Sequence, residues 1–175
     1  LNHIRIFSSA DEAINISSVY TEQAEGSNYE YFQFVNSIAL HRSDIYGKLN
    51  GVNSSCSLSG LTLSKDKQHS ATYINTDHAK PYCTSSQNFK SILNDMSSGV
   101  FNGRTVVQED SQKTNSRQSN KNLLLSDKAL MNSNPQLEIY ADDVKCAHGS
   151  TTGALDKEAL FYMQSRGINQ EEASS

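Results

Sequence analysis

Long apolar runs, tryptophan and an excess of positive charge are absent from this sequence. It contains no tryptophan and no apolar run longer than five residues. A membrane-spanning helix needs about 20 apolar residues and the core of a secretory signal about 7–15, so neither is predicted. The 15 Lys and Arg residues are outnumbered by 19 Asp and Glu residues, which gives a net charge of −4. A basic patch is therefore not expected, and a nucleic-acid or anionic-membrane partner is disfavoured.

Cysteine is scarce as well, with three residues that lie far apart: Cys56, Cys83 and Cys146. An odd number of widely spaced thiols fits neither a disulfide framework nor a zinc site of the CxxC type. A reducing, cytoplasmic setting with at least one free thiol is the resulting prediction. Because the chain begins at Leu1 rather than at a methionine, we expect it to be a piece of a longer protein.

Small polar residues are abundant: 27 Ser and 16 Asn together make 43 of the 175 residues. Such a composition is typical of turn-rich β architectures rather than of helical bundles. Apolar and polar residues alternate at 29–35, 57–63 and 136–140, which predicts strands there. The two prolines, Pro81 and Pro135, are expected at strand starts, where a missing N–H does least harm.

A faint repeat joins the segments 106–114, 123–131 and 138–146, which follow one another at offsets of 17 and then 15. Each segment contains a strand, an acidic corner at its fifth position and the start of a second strand. We interpret each offset as one coil of a parallel β-helix, in which every strand pairs with its counterparts in neighbouring coils. An antiparallel sandwich fits the pattern equally well.

The pattern becomes helical after residue 155. Asp156 is a suitable N-cap, the helix is predicted over 157–166, and Gly167 ends it. The predicted domains are thus a β-helix core at 1–155 and the start of a C-terminal helical region at 156–175. Residues 169–175 resemble the first turn of another helix. The apolar face of the first helix, which includes Leu160 and Met163 and is widened by Phe161 and Tyr162, either caps an exposed strand edge or binds a partner.

Enzymatic motifs are missing from the sequence. It contains no G-x-x-x-x-G-K-[ST], G-x-S-x-G or H-E-x-x-H pattern. Asp142 and Asp143 are adjacent, so they would point to opposite faces of a strand and could not act together as glycosidase carboxylates do. His3, His41, His69 and His78 stand alone and are expected to lie at the surface or to be hydrogen-bonded, and Cys56 is expected to be a small buried filler.

Cys146 and His148 form the one candidate ligand pair. On a β-strand, side chains two residues apart share a face, so the thiol and the imidazole would project to the same side. Their Cβ atoms would lie roughly 6–7 Å apart, which is close enough to bind one metal ion or one edge of a cluster. Iron, iron–sulfur species, zinc and copper all accept these ligand types. A complete site would need further ligands, which a second chain could supply.

Four segments carry a resemblance to a known family: 99–103, 113–125, 135–149 and 159–168. In their order and spacing they resemble the SufB/SufD family of the SUF iron–sulfur cluster assembly machinery. The motif Asp-Val-Lys-Cys-Ala-His at 143–148 resembles the SufD branch, because the SufB branch has a glutamate-centred motif there. Close resemblance covers about residues 80–170, and residues 1–79 match only in general β-helix character.

The resemblance implies an all-β fold: a right-handed parallel β-helix followed by a short C-terminal helical segment. It also implies that His148, with Cys146 as a secondary candidate, lies at an interface with a SufB-like paralogue where an iron–sulfur cluster is built transiently. It leaves open whether the complex also holds a flavin. In the family, the helices after the β-helix dock onto the ATPase SufC, which places Leu160, Phe161, Met163 and Arg166 at a partner surface.

We therefore expect a non-enzymatic scaffold subunit for iron–sulfur cluster assembly. The core alone could form a homodimer through the surface that the family uses for SufB. Three alternatives remain: a SufB-like scaffold that binds the cluster mainly on this chain, a β-helix carbohydrate-active enzyme, and an interaction module without a metal role.

Overall fold

The computed structural model describes residues 1–9 and 12–169, except for the side chains of Lys157 and Ala159. This part of the chain forms eleven strands and one short helix. They are β1 (Asn2–Ser8), β2 (Ile14–Gln23), β3 (Asn28–Asn36), β4 (Leu40–Leu49), β5 (Ser55–Ser64), β6 (His69–His78), β7 (Thr84–Leu93), β8 (Ser98–Val107), β9 (Asn115–Leu124), β10 (Leu130–Ile139), β11 (Lys145–Ala154) and α1 (Lys157–Ser165).

The strands form two parallel sheets that face each other across a common interior. Odd-numbered strands form one sheet in the order β1-β3-β5-β7-β9-β11, and even-numbered strands form the other in the order β10-β8-β6-β4-β2. Successive strands therefore alternate between the sheets, and one coil consists of one strand from each. This is a parallel β-solenoid of about five coils. The predicted parallel β-helix is confirmed, and the antiparallel sandwich is wrong.

The strand register sets the length of one coil. Asn28 pairs with Ser55, Ser57 with Ser86, and Ser85 with Ser116, at sequence separations of 27, 29 and 31. The interpretation of each offset between the repeated segments as one coil is therefore wrong: each such offset takes the chain from one sheet to the other. Two offsets make a full coil, because Val106 pairs with Glu138.

The prolines occupy places that differ from the prediction. Pro81 lies in the turn before β7, whereas Pro135 lies inside β10 and pairs with Gly103. β10 is the last strand of its sheet and pairs on one side only among the described strands. An edge strand tolerates proline because part of its backbone has no ladder partner to lose.

Alternate residues of β3 to β9 are buried in the interior. Large apolar side chains pack through its middle coils, from β3 to β8, in a cluster of Tyr29, Tyr31, Ile45, Leu49, Cys56, Leu58, Ile74, Cys83, Phe89 and Phe101. Cys56 is buried, as predicted for a small filler. Buried Ser, Thr, Asn and Gln side chains accompany this cluster and bond across the interior; Gln33 Nε2, for example, donates to Thr72 Oγ1 at 3.0 Å. The abundance of small polar residues thus serves the interior as well as the turns.

Two histidines are enclosed in the interior. His78 Nε2 bonds with Ser85 Oγ at 2.8 Å. His41 packs on the ring of Phe7 with 4.7 Å between centroids, and neither of its ring nitrogens has a hydrogen-bond partner in the described part of the chain. The expectation that each lone histidine is either exposed or hydrogen-bonded is therefore wrong for His41. Burial lowers the pKa of each of these two imidazoles from 6.5 to about 4.

Helix α1 has the predicted end signals. Asp156 Oδ1 accepts the N–H of Glu158 at 2.9 Å as an N-cap. Gly167 has φ of 88°, and the N–H groups of Gly167 and Ile168 donate to the carbonyls of Gln164 and Met163, which is a Schellman ending. The helix does not cap the strand edge, since β11 is exposed over almost its whole length. Residues 170–175, where a further helical turn is predicted, lie outside the described residues.

None of the described helices is long and apolar enough to cross a membrane.

The buried histidines predict an acid-labile fold. Because the pKa of each is lowered in the folded state, the unfolded chain binds more protons between about pH 6.5 and pH 4. The free energy of unfolding should decrease as the pH is lowered through this window, by up to about 1.4 kcal/mol per pH unit for each histidine. Urea unfolding at several pH values measures this slope. In a His41→Leu/His78→Gln double variant, the unfolding free energy should depend less steeply on pH. Equal slopes in the variant and the wild type would contradict the conclusion that these two histidines cause the acid sensitivity.

Candidate functional site at the open end of the solenoid

The C-terminal end of the solenoid is open. β11 pairs with β9, and β10 pairs with β8. Neither strand has a partner on its other side within the described part of the chain, so each presents a free edge of backbone N–H and C=O groups. The interior opens between these two edges, and we call this opening the mouth.

One face of β11 lines the mouth. Its residues Cys146, His148, Ser150 and Thr152 pair in register with Ser116, Gln118, Asn120 and Asn122 of β9. All four β9 side chains are buried in the interior. Because side chains in register on parallel strands point to the same side, the four β11 side chains continue these interior rows to the open end. The structure thus places both predicted ligand residues on one face, at the mouth.

The thiol and the imidazole differ in their surroundings. Cys146 is half-buried, whereas His148 is exposed. Burial raises the pKa of the Cys146 thiol above its usual value, and a hydrogen bond from the backbone of Ser116 opposes this shift only in part. The thiol is therefore protonated near neutral pH and must release its proton when it binds a metal.

A polar cluster joins the two strands across the mouth. Ser133 Oγ of β10 lies 2.7 Å from Ser150 Oγ of β11 and donates to Asn120 Oδ1 at 2.7 Å. Asn122 Nδ2 also donates to Asn120 Oδ1, at 2.6 Å. The sequence analysis missed these residues because it treated an offset of 15–17 residues, which is half a coil, as a full coil. An offset of that size does not align position 148 with 118 or position 150 with 120. A repeat with the separation of 30 that joins positions 122 and 152 would have revealed them.

The comparison with known families gives a match over the whole chain. Residues 1–175 match the family described as "SUF system FeS cluster assembly, SufBD core domain". The chain belongs to the SufBD core family. The match extends over residues 1–79, where sequence inspection finds only general β-helix character.

Individual relatives of this chain support the same family assignment. SufD from Escherichia coli is 42% identical over 135 residues, which are 77% of this chain and 32% of that protein. SufD from Bacillus subtilis is 39% identical over 82 residues, 47% of this chain and 19% of that protein. A SufBD family protein from Synechocystis is 31% identical over 173 residues, 99% of this chain and 38% of that protein. This SufBD core is thus SufD-like, and it spans about a third of the length of the first two curated relatives it matches.

The turn before β11 is tied to the preceding coil of the SufBD core. The N–H of Lys113 donates to the carbonyl of Asp143 at 2.6 Å, and the N–H of Asp143 donates to Gln112 Oε1 at 2.8 Å. The Asp143 carboxylate also forms an ion pair with the Lys113 ammonium. These contacts fix the point at which the chain enters β11, just before Cys146.

The predicted partner surface on α1 is a separate feature. Leu160 and Phe161 line a groove of about 840 Å³ together with the solenoid turns at 94–96 and 124–128. Phe161 is 73% exposed, Met163 is half-buried, and Arg166 donates to the Tyr162 hydroxyl at 2.8 Å. Cys146 and His148 do not line this groove.

Thiol labelling tests the placement of the cysteines. Cys56 and Cys83 are buried, and burial raises the pKa of Cys56 to about 12. We expect iodoacetamide to modify one thiol per folded chain and three per denatured chain. Because the pKa of Cys146 is raised, the rate should continue to increase with pH beyond the usual thiol range. A Cys146→Ser variant should not react when folded, and mass spectrometry that finds Cys56 or Cys83 modified in the folded chain would contradict this placement.

Proposed function

We propose that this chain is the core of a scaffold subunit that pairs with a SufB-like paralogue and works with the ATPase SufC to build and transfer nascent iron–sulfur clusters. The family match supports a role in iron–sulfur cluster assembly. The observation that carries the proposal is that Cys146 and His148 lie together at the open mouth, between two free strand edges.

The ligand set of this chain supports a shared site. No group of three or more His, Cys, Asp or Glu side chains in the described residues is arranged to hold a metal ion. Cys146 and His148 supply two ligands, whereas iron in a cluster ordinarily has four. The remaining ligands would come from the paralogue and from sulfide. The cluster is the cargo of this site and is held while it is built.

The free strand edges support the location of the partner. An exposed edge in a parallel sheet pairs readily with another strand. A second solenoid placed against β10 and β11 would satisfy their free backbone groups and enclose the mouth. His148 is exposed in this chain, so such a partner would reach its imidazole directly. When the paralogue is absent, we propose that a second copy of this chain occupies the same edges as a homodimer.

The residues at the mouth have distinct chemical tasks. Cys146 must give up its proton before it binds iron, because the ligand is the thiolate. His148 binds through the lone pair of a neutral ring nitrogen, which leaves the other nitrogen to donate a hydrogen bond. The Ser133–Ser150 contact would hold β10 and β11 together at the mouth while the paralogue binds and dissociates.

The C-terminal segment would transmit the ATPase cycle. We propose that the solenoid at 1–155 and the helical region that begins at 156 are separate units, and that α1 docks onto SufC through Leu160, Phe161, Met163 and Arg166. Exposed aromatic and arginine side chains are enriched in protein interfaces, and Phe161 and Arg166 are both exposed. The chain itself would catalyse no reaction. We also propose a cytoplasmic setting for the complex, and whether the complex holds a flavin stays open.

A substitution at position 148 tests the cluster site. The full-length protein carrying His148→Ala is co-expressed with the SufB-like and SufC partners, and iron and acid-labile sulfide are counted in the purified complex. We expect the complex to assemble with iron and sulfide reduced at least about tenfold, because even the loss of a group that supports a ligand weakens a metal site by about 10–100-fold. His69→Ala, a histidine on β6 that bonds with Ser98, is the matched control and should keep both at the wild-type level.

Unchanged iron and sulfide in His148→Ala would refute the proposed site on this chain. A stoichiometric cluster absorbance after anaerobic reconstitution of this chain alone would favour the SufB-like alternative, in which the cluster is held without a partner.

A second substitution tests the partner surface on α1. Phe161→Ala/Met163→Ala in the full-length protein should weaken SufC co-purification by about tenfold or more, because truncated interface anchors cost about 1–4 kcal/mol. Ile14→Ala, which removes an exposed apolar side chain at the other end of the solenoid, is the control and should have no effect. SufC retention by the α1 variant at the control level would show that SufC docks elsewhere.

A further inference from the structure

Gln118 Oε1 is a buried oxygen beneath the mouth that has no hydrogen-bond partner among the described residues. Gln118 is 4% exposed, and its Oε1 atom contacts no donor in the described part of the chain. An unpaired carbonyl oxygen in the interior is costly, because it has lost its water without gaining a replacement. Gln118 lies directly next to His148 in the strand register.

The orientation of the Gln118 amide is determined by its neighbours. Its Nε2 atom donates to the carbonyl oxygen of Gly103 at 3.1 Å and to Thr105 Oγ1 at 2.9 Å. A backbone carbonyl can only accept, so the nitrogen rather than the oxygen must face Gly103. These contacts use the Nε2 atom, so Oε1 is the amide atom that has no partner among the described residues.

Gln118 is the last amide of a short ladder. Gln87 and Gln118 pair in register, and Gln118 Nε2 also lies 3.4 Å from Gln87 Oε1. In such a ladder the amide N–H points to one neighbouring coil and the C=O toward the other. The nitrogen of Gln118 lies within reach of Gln87 on one side, and β11 pairs with β9 on the other side. Position 148 continues the same row with an imidazole.

We propose that Gln118 is a positioning residue for His148: one ring nitrogen of His148 donates its hydrogen to Gln118 Oε1, and the other, unprotonated nitrogen faces out of the mouth. The ligand role of His148 that gives this pairing its purpose rests on the proposed function. Because His148 is exposed and lies next to Gln118 in the strand register, the pairing requires only that the imidazole turn about its side-chain bonds toward this oxygen.

The pairing would prepare His148 for iron. Metal-binding histidines generally donate their second ring N–H to a carbonyl or carboxylate, which fixes the tautomer and the plane of the ring. Gln118 is itself held by Gly103 and Thr105 of the opposite sheet, so the orientation of the imidazole would be anchored on both sheets. Without this contact, the ring would sample both tautomers and many directions.

The tautomer of His148 tests the proposal. Long-range ¹H–¹⁵N correlation spectra of the ¹⁵N-histidine-labelled chain at about pH 8, where imidazole is ordinarily neutral, distinguish the two ring nitrogens. His148→Asn identifies the signals by their loss. We expect a single tautomer in the wild type and a mixture in Gln118→Met, which removes the acceptor oxygen.

A matched control separates pairing from packing. Gln33 is another buried interior glutamine, with its amide bound to Thr72 and Tyr31 far from the mouth. Gln33→Met should leave the tautomer of His148 unchanged. If Gln118→Met does not fold, Gln118→Asn replaces it, because the shorter side chain withdraws the oxygen and should give the same mixture.

The outcomes separate the two proposals. A mixture of tautomers in the wild type, or identical spectra for the wild type and Gln118→Met, would overturn the pairing whatever the iron content of the complex. A tautomer that depends on Gln118, together with unchanged iron and sulfide in His148→Ala, would support the pairing and refute the proposed function.

Discussion

Parallel pairing between strands that lie one full coil apart in the chain is the interaction on which the rest of this structure depends. Every strand except those at the two ends of the solenoid bonds to a strand in the coil before it and in the coil after it. This pairing stacks each side chain on its counterpart, so chemistry is organised in rows along the axis rather than around one centre. Cys146 and His148 lie at the mouth because they are the last members of two such rows.

Stacking also explains why so polar a chain can fold around an enclosed interior. Buried Gln, Thr, Asn and Ser side chains have partners in neighbouring coils or across the two sheets, so their burial is tolerated where most polar atoms are paired. The exceptions are informative. His41 and His78 are held with a lowered pKa by their burial, and Gln118 keeps an oxygen unpaired where the rows end.

The local elements were predictable because their signals are local. Alternation identified β3 and β5, and the capping residues of α1 lie where Asp156 and Gly167 indicate. The coil length was not predictable in this way, because strands of both sheets look alike in sequence and every half-coil resembles a repeat. The same ambiguity hid the relation of Gln118 to His148, which depends on a register that only long-range pairing sets.

The sequence by itself determined that this chain is rich in strands, that it lacks enzymatic motifs, that its one thiol–imidazole pair shares a face, and that it resembles the SufB/SufD family. Those conclusions need only side-chain chemistry and the order of residues along the chain. The tertiary structure decided that this face lines the mouth, that Ser133 and Ser150 bridge the mouth, and that α1 does not cover the edge of β11. These features depend on which distant strands stack, and backbone pairing across a whole coil leaves no local mark in the sequence.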